Sequence, residues 1–376
     1  MSELKVNSIK GVGASTAAIT VNNTDGTCTA NITNNLSNRN LVINGSQIVS
    51  QRATSATGKT TTGYHCTDRF RFVDNNIGTF TLAQSTDAPT GFAKSLRLDC
   101  TTADTSIAAG DYLSVDHAIE GSNLQQLDYG LSSAKTITIS FYVKSTTTGT
   151  YTLEIYMNDG DYFNSKTYTI SSANTWERKT VTFAGNTSNS IADDNTRGLT
   201  CNFWLSNGSN FEGGTFSDGT WHNTTNKRVH SSQVNIASST DNDWSITGVQ
   251  LEVGSVATDF EHIMPTDELR RCKRYFQKAG GSHWGATEGS NQFRIQVNLE
   301  PEMRSAPTVT VRSGCKFNTR YAGDTTITDP TLASTASQSR NVWTGISSSG
   351  LTGGTPVYGR SQQGDTGDFM ACDAEL

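Results

Sequence analysis

Short segments in which apolar and polar residues alternate recur through this chain of 376 residues, and they restrict its fold more than any other feature. Residues 137–143 read ITISFYV, and residues 151–157 read YTLEIYM. Because successive side chains of a strand point to opposite faces, this period of two predicts strands with one face in a core and the other in water. The sequence TGT at 148–150 separates the two segments, so we predict that they form a β-hairpin.

The same alternation recurs at residues 95–100, 179–183 and 249–253. No long helical pattern separates these segments, so we expect them to pair antiparallel and to pack as two sheets face to face. Hydrophobic residues make up only 34% of the chain, while Thr, Ser, Asn and Gly are abundant, which is typical of short strands joined by polar turns. The sequence therefore predicts an all-β chain with a β-sandwich over residues 41–264.

A strand followed by a short helix marks the predicted end of the sandwich. Gly248 interrupts the alternation of the last strand, and we expect a β-bulge there. Pro265 follows, and Thr266 or Asp267 is the expected N-cap of a short helix. The basic residues of that helix, which we expect to be solvated or to face another subunit, are Arg270, Arg271, Lys273 and Arg274.

Residues 265–376 are predicted to form this helix and then a second small β domain. Alternation returns at residues 293–297 and 309–311, and residues 369–372 are available for a final strand. The run at 328–364 has few apolar residues, so we expect it to be loop-like. Loops held by a rigid scaffold suit recognition.

Several segments resemble one family of proteins, and they occur here in that family's order. They are NLVINGSQIVSQRA (40–53), DRFRF (68–72), GDYLSVDHAIEG (110–121), SAKTITISFYVKS (133–145), NTWERKTVTFAG (174–185), TGVQLEVG (247–254), ELRRCKRYF (268–276) and MRSAPTVTV (303–311). Together they resemble bacteriophage tail-fibre and related virion proteins with a carbohydrate-binding-module-like jelly-roll domain. The opening MSELKVNSI is similar to the start of marine phage fibre proteins, in which the N-terminal end attaches to the particle.

The resemblance implies a jelly roll for residues 41–264 and a structural role in the virion. The function it favours is a homotrimeric tail fibre that recognises a glycan on the host surface, assembled in the host cytoplasm and located in the virion tail. A head fibre, a capsid decoration protein or another tail component that binds no receptor is the alternative, since sandwich domains serve both roles. A free carbohydrate-binding module of a secreted enzyme would be expected to carry a signal peptide, and the N-terminus has no such apolar region.

Residues 1–40 have too few large apolar side chains to bury a core of their own. Brief alternations flank an Asp25-Gly26 turn sequence, which predicts short strands. We expect an extended segment that is ordered by other virion proteins or by the same segment of sister chains. A flexible tail is the alternative.

The strand at residues 198–209 suggests a binding surface. Its alternation turns Leu199 to Leu205 inward at every second position, so Trp204 projects from the opposite face. An aromatic ring takes the apolar C–H face of a sugar while amides bind its hydroxyl groups. The candidate glycan patch consists of Asn202, Trp204, Asn207, Trp221 and His222. The alternative is that Trp204 faces a neighbouring loop or subunit.

Other chemistry is disfavoured by spacing and charge. Seven cysteines occur singly, which favours reduced core residues over a zinc site. ATSATGKT (53–60) lacks the first glycine and the following helix of a P-loop. The Asp-rich loops at 159–161, 193–195 and 241–243 lack EF-hand spacing, so ordinary turns are preferred to calcium sites.

We therefore expect no metal, no cofactor and no enzymatic activity, although carboxylate pairs from distant strands would leave no sequence pattern. A formal net charge of -6 argues against a nucleic-acid partner, because a dedicated nucleic-acid binder normally has a basic face. No apolar run is long enough to insert into a membrane.

Overall fold

The computed structural model describes residues 6–10, 12, 19–21, 24, 28–30, 38–279, 283–287, 292–311, 316–319, 326–328, 331–337, 341–347, 356–359, 368 and 370–376. Within these ranges, regular structure consists of β-strands, one α-helix and four short 3-10 turns. The strands are β1 (Ser8–Ile9), β2 (Ile19–Val21), β3 (Cys28–Ala30), β4 (Ser55–Lys59), β5 (Arg71–Asn75), β6 (Thr79–Ser85), β7 (Ser95–Thr102), β8 (Tyr112–Glu120), β9 (Ile137–Ser145), β10 (Gly149–Met157), β11 (Tyr162–Ile170), β12 (Glu177–Phe183), β13 (Arg197–Asn207), β14 (Asp243–Val253), β15 (Phe276–Ala279), β16 (His283–Thr287), β17 (Gln292–Asn298), β18 (Thr308–Val311), β19 (Lys316–Thr319), β20 (Thr326–Thr328), β21 (Thr331–Ser337), β22 (Asn341–Ser347), β23 (Pro356–Gly359) and β24 (Met370–Asp373). The helix is α1 (Pro265–Lys273), and the 3-10 turns are Gly121–Asn123, Gln125–Leu127, Thr225–Lys227 and Ile236–Ser238.

Strands β4 to β14 build two antiparallel sheets. The five-stranded sheet has the order β11-β10-β13-β8-β5, and the six-stranded sheet has the order β12-β9-β14-β7-β6-β4. Within strands β7 to β14 the pairing is nested: β7 pairs with β14, β8 with β13, β9 with β12 and β10 with β11. An antiparallel ribbon rolled up in this way, over eight strands in two sheets, is a jelly roll. The predicted all-β jelly-roll sandwich is therefore confirmed.

The core lies between the two sheets. The ring of Phe141 from one sheet meets those of Phe203 and Tyr168 from the other edge-on, with ring centroids 5.1 Å and 5.0 Å apart. The apolar residues of the alternating segments at 137–143 and 151–157 are fully buried in this layer. Burying one such side chain contributes about 1.5–3 kcal/mol, so the alternation correctly identifies which side chains hold the sheets together.

The predicted hairpin between these two segments is wrong. Strand β9 lies in the six-stranded sheet and β10 in the five-stranded sheet, so the intervening turn crosses from one sheet to the other. The crossing is held by Asp243, whose main-chain oxygen accepts a hydrogen bond of 2.6 Å from the Ser145 hydroxyl. Alternation determines which face of a strand is buried but not which strand it pairs with. The apolar faces of β9 and β10 both point into the same core, one from each sheet.

The expectation that the polar face of the last sandwich strand lies in water is also wrong. The side chains of Gln250 and Glu252 on β14 are buried, because residues 254–264 fold back over them. Thr258 donates to the Glu252 carboxylate through its main-chain nitrogen and its hydroxyl group, at 2.8 Å and 2.7 Å. The main-chain nitrogen of Glu261 donates to the Gln250 side-chain oxygen at 2.8 Å. Hydrogen bonds to the covering segment thus replace those that water would make.

The bulge predicted at Gly248 is confirmed, and the predicted N-cap is corrected. The register between β14 and β9 breaks between Thr247 and Gln250, and Gly248 has a φ of 61°. The helix α1 begins at Pro265, with Met264 as N-cap, instead of after Thr266 or Asp267. Proline suits the first helical position because the missing N–H would have no partner within the helix.

The described residues between 276 and 376 include two further sheets, with the orders β15-β24-β18 and β20-β19-β23-β16-β17-β22-β21. The predicted strand at 293–297 and the final strand near 372 are confirmed as β17 and β24. The run at 328–364 was expected to be loop-like, but it contains β21, β22 and β23. Main-chain pairing with neighbouring strands stabilises it despite its few apolar side chains, as in the seven register pairs of β17 with β22.

The N-terminal alternations form a sheet of the order β1-β2-β3, and the Asp25-Gly26 turn lies outside the described residues. Five cysteines of the described part are free and buried, as predicted for reduced core residues: Cys66, Cys100, Cys201, Cys272 and Cys372. In the part of the chain that the structure describes, no helix is long and apolar enough to cross a membrane.

Buried ion pairs fix the end of the chain to the sandwich. Arg69, whose side chain is 0% exposed, pairs with Glu375, whose side chain is 5% exposed. The Arg69 guanidinium also donates to the main-chain oxygen of Ala118 at 2.6 Å and lies 3.5 Å above the ring of Tyr275. A buried charge of this kind is tolerated only with a partner and further hydrogen bonds, so residues from four distant parts of the chain depend on one another here.

Candidate functional site

Trp204, the centre of the predicted glycan patch, is covered in the structure. Its side chain projects from the outer face of β13 as predicted, but the residue is only 2% exposed. The rings of Phe211 and Tyr112 pack against it, with centroids at 5.3 Å and 5.9 Å. A sugar needs one free face of such a ring, and residues that follow β13 occupy it. This packing matches the alternative in which Trp204 faces a neighbouring loop.

Arg228 holds that covering loop in place. Its guanidinium donates two hydrogen bonds, of 2.8 Å and 2.7 Å, to the carboxylate of Glu154 on β10. Asn202, from the predicted patch, donates to the same carboxylate at 2.8 Å. The guanidinium lies 4.1 Å from the centre of the Phe163 ring and 5.1 Å from that of Trp204. Burial alone would lower the pKa of Arg228, but the Glu154 carboxylate raises it above its usual range.

Of the other three predicted residues, His222 lies beside the group around Arg228, whereas Trp221 and Asn207 have other partners. His222 packs its ring near Phe163, at a centroid distance of 5.8 Å, and burial lowers the pKa of its imidazole. Trp221 donates from its ring nitrogen to the main-chain oxygen of Ala184 at 2.8 Å. Asn207 donates to the adjacent Gly208 main-chain oxygen at 3.2 Å. The structure thus gathers Asn202, Trp204 and His222 near Arg228, but it places no open aromatic face there.

A second group of aromatic residues is open, on the outer face of the six-stranded sheet. We call it the aromatic pocket: a cavity of about 240 Å³ between β9, the loop before β7 and the segment after β14. Phe92 is the ring that contacts the other three: its centroid lies 5.4 Å from that of Tyr142, 5.0 Å from that of Phe260 and 5.2 Å from that of His262. The volume is slightly below the range of about 300–1,000 Å³ typical of small-molecule sites, which suits a small ligand.

Hydrogen-bonding groups line the rim of the aromatic pocket. Arg178 donates one bond of 2.7 Å to the main-chain oxygen of Thr258, which fixes its exposed guanidinium while other N–H groups stay available. Asp259 is also exposed, and its main-chain oxygen accepts from Gln250 at 3.3 Å. A cationic donor and an anionic acceptor beside aromatic rings are the groups that bind the hydroxyls and the C–H face of a sugar.

The bulge in β14 creates the space for these rings. A Cβ atom on Gly248 would lie 2.7 Å from a ring carbon of Phe92 and 3.0 Å from one of Tyr142. We predict that Gly248→Ala displaces Phe92 and, with the strain of a positive φ, destabilises the protein by about 1–2 kcal/mol. Chemical denaturation measures the loss of stability. Gly91→Ala is the control for strain alone, because its φ is also positive but its Cβ would contact nothing within 4 Å.

Sequence reasoning missed the aromatic pocket because its members come from separated segments. Phe92, Tyr142 and Phe260 belong to a loop, a strand and a covering segment that only the folded chain brings together. One usable signal was Tyr142, a large aromatic residue on the polar face of its strand.

Three buried carboxylates of the sandwich are bound by arginines. Besides Glu154 with Arg228, Glu120 accepts two bonds of 2.7 Å from Arg274, and Asp116 pairs with the guanidinium of Arg71. These carboxylates therefore serve the packing of loops and strands. Among the described residues, no cluster of three His, Cys, Asp or Glu side chains is arranged to hold a metal ion.

Comparisons with known proteins give weak structural similarity only. No protein-family model and no curated protein matches the chain. The enzymatically active domain of tailspike protein 4 from bacteriophage CBA120 is 14% identical, with 57% of this chain covering 21% of that longer chain at a TM-score of 0.29. The family 11 carbohydrate-binding module of a Clostridium thermocellum cellulase is 10% identical, over 54% of this chain and 98% of that chain, at 0.27. The tandem CBM22 domain of Paenibacillus barcinonensis Xyn10C is 8% identical, over 87% and 98%, also at 0.27. All three TM-scores are below 0.5, so these similarities carry no argument about function.

Proposed function

We propose that this chain is a structural protein of a bacteriophage particle, a tail fibre that binds a glycan on the host surface without modifying it. The observation that supports glycan binding is the aromatic pocket, where rings and free polar groups meet on an exposed face of the sandwich. The assignment to a tail fibre is supported by the resemblance of segments along the chain to tail-fibre proteins.

The chemistry of the aromatic pocket fits one sugar residue at the end of a chain. The face of Tyr142 is half-buried and available to C–H groups, while Arg178 and Asp259 can donate to and accept from adjacent hydroxyls. Because both a positive and a negative group border the cavity, a neutral sugar satisfies them better than a charged one. Binding through such contacts is reversible, as adsorption to a surface requires.

We expect Tyr142→Ala to weaken glycan binding about tenfold, because an aromatic contact of this kind contributes about 0.5–1.5 kcal/mol beyond the apolar area it buries. The measurement is binding of the purified full chain to an array of neutral bacterial-surface saccharides, followed by titration of the best ligand. Tyr142→Phe keeps the ring and is expected to retain most of the affinity.

Trp176→Ala provides the matched control. Trp176 is a half-buried aromatic residue on an edge of the same sheet, and its ring nitrogen donates to Asp87 at 3.1 Å, outside the aromatic pocket. Equal losses for Tyr142→Ala and Trp176→Ala would contradict a specific site. The tail-fibre assignment has a separate test: purified protein should compete with phage for adsorption to host cells. No competition, with density for this protein on the capsid shell, would favour the decoration role.

A further inference from the structure

A larger cavity lies where the start of the sandwich meets the helix α1. We call it the junction pocket: its volume is about 610 Å³, within the usual range for ligand sites. One wall is the segment 38–43, another is the turn at 123–126, and the third is the C-terminal turn of α1. It is separate from the aromatic pocket, with which it shares no lining residue.

Two arginines, Arg271 and Arg274, line the junction pocket, and none of its described lining residues is acidic. Arg271 donates one hydrogen bond, of 3.0 Å, to the side-chain oxygen of Asn38. No carboxylate within the described residues forms an ion pair with it. Three acidic groups around the pocket have other partners: Glu120 is buried and bound twice by Arg274, Glu268 is buried and accepts from the main-chain nitrogen of Asn44 at 2.7 Å, and Glu261 accepts from the main-chain nitrogen of Asn40 at 2.9 Å. Arg271 therefore retains most of its N–H donors for a ligand.

The remaining walls combine apolar and amide groups. Leu41 and Ile43 are half-buried and contribute aliphatic surface to the lining, and the buried Tyr275 contributes to it as well. The exposed residues Asn123 and Gln126 also line the pocket. A guanidinium binds a carboxylate through two parallel N–H donors, amides bind hydroxyls, and aliphatic surface takes the C–H face of a ring.

We propose that the junction pocket binds a carboxylated saccharide, with Arg271 bound to the carboxylate and the amides of Asn123 and Gln126 on the sugar hydroxyls. Uronic acids and sialic acids share this chemistry. The proposal does not depend on the function assigned to the aromatic pocket, because a neutral sugar at one site and an acidic sugar at the other are independent binding events.

The test is calorimetric titration of the full chain with trigalacturonate, with 3′-sialyllactose and with neutral lactose. We expect one of the two acidic probes to bind, lactose not to bind at this pocket, and the affinity to fall as salt is added. The acidic probe that binds identifies the uronate or the sialate class. Arg271→Gln should weaken that binding about tenfold or more, since a charge-assisted pair is lost.

Arg270→Gln is the matched control, because this neighbouring residue is exposed on the same helix turn but does not line the pocket. It removes the same charge and should leave the affinity nearly unchanged. Equal losses of affinity in both variants would show that only the net charge of the helix matters, and would overturn the proposal. Failure of both acidic probes to bind would overturn it as well. Tyr142→Ala should leave this binding intact, which separates failure here from failure of the proposed function. Unchanged melting temperatures show that the variants remain folded.

Discussion

Replacing Arg69 by methionine is expected to destabilise the protein by about 3 kcal/mol, the lower end of the cost of removing one member of a buried ion pair, because Arg52 still pairs with Glu375 at 3.2 Å. Glu375 would keep its charge in a site where its side chain is only 5% exposed. Methionine fills a similar volume, so the main loss is electrostatic, together with the contact of the guanidinium with Tyr275 at 3.5 Å. Urea denaturation of the variant and the native protein measures the difference.

The pH dependence of this loss identifies its cause. Burial raises the pKa of the Glu375 carboxyl above its ordinary value of 4.5, even with Arg69 beside it. Because the pKa is higher in the folded state than in the unfolded state, the folded protein binds this proton more tightly. The resulting stabilisation is fully present below the unfolded-state pKa and is lost as the pH rises through the folded-state pKa. Removing the cation raises the pKa further, so the Arg69→Met penalty should be small near about pH 4 and largest near about pH 8.

Two further variants complete this experiment. Adding Glu375→Gln to Arg69→Met removes the buried negative charge that Arg52 alone would then balance, and should recover part of the stability. Arg97→Met is the control, because Arg97 pairs with Asp243 at 3.0 Å but its side chain is 41% exposed, where an ion pair contributes about 0–1 kcal/mol. A loss for Arg69→Met as small as that for Arg97→Met would contradict a buried, mutually dependent pair.

Arg228→Met should produce the second large effect, a destabilisation of about 3 kcal/mol together with opening of the loop over β13. Glu154 is 0% exposed and would lose both hydrogen bonds from the guanidinium. The stacking of Arg228 on Phe163 and Trp204 would also be lost. Trp204 should then become accessible to water, which shifts its fluorescence to longer wavelength and increases quenching by acrylamide.

Lys227→Met tests whether this effect is specific. Lys227 adjoins Arg228 in the same loop and is half-buried, so the substitution removes one charge without touching Glu154. We expect little change in stability or fluorescence. If Arg228→Met destabilised the protein while Trp204 remained protected, the loop would be held by other contacts, and the anchoring role of Arg228 would be wrong.

The sequence predicted the buried faces of strands correctly, but not their partners. Ile139 and Leu153 were both assigned to the core and are both fully buried, yet their strands lie in opposite sheets. Alternation reports the environment of one strand, whereas pairing depends on the path of the whole chain. The same limit explains Gln250, whose polar side chain was assigned to water but is buried under a later segment.

The sequence allowed the strand positions of single residues in the candidate sites to be predicted, but not how those residues come together. Trp204 was correctly placed on the outer face of its strand, but the loop that covers it owes its position to an ion pair between Glu154 and Arg228, 74 residues apart in sequence. Such an ion pair leaves no periodic pattern in the sequence. Gly248 was predicted to form a bulge, whereas Tyr142 received no role, and only the paired register of β9 and β14 brings the two together in one cavity.

The nested order of the eight jelly-roll strands also determines when the domain can assemble. Strands β10 and β11 are adjacent in the chain and can pair as soon as both have been synthesised. Asp99 on β7, in contrast, can pair with Asp243 on β14 only after all the intervening residues have been synthesised. Sheets that depend on such distant pairings fold slowly, because a long loop has to be ordered before its ends gain any contact. During synthesis the early strands therefore leave the ribosome with their edges unsatisfied until the last strand follows, and a chaperone that shields them in this interval would increase the yield of folded protein.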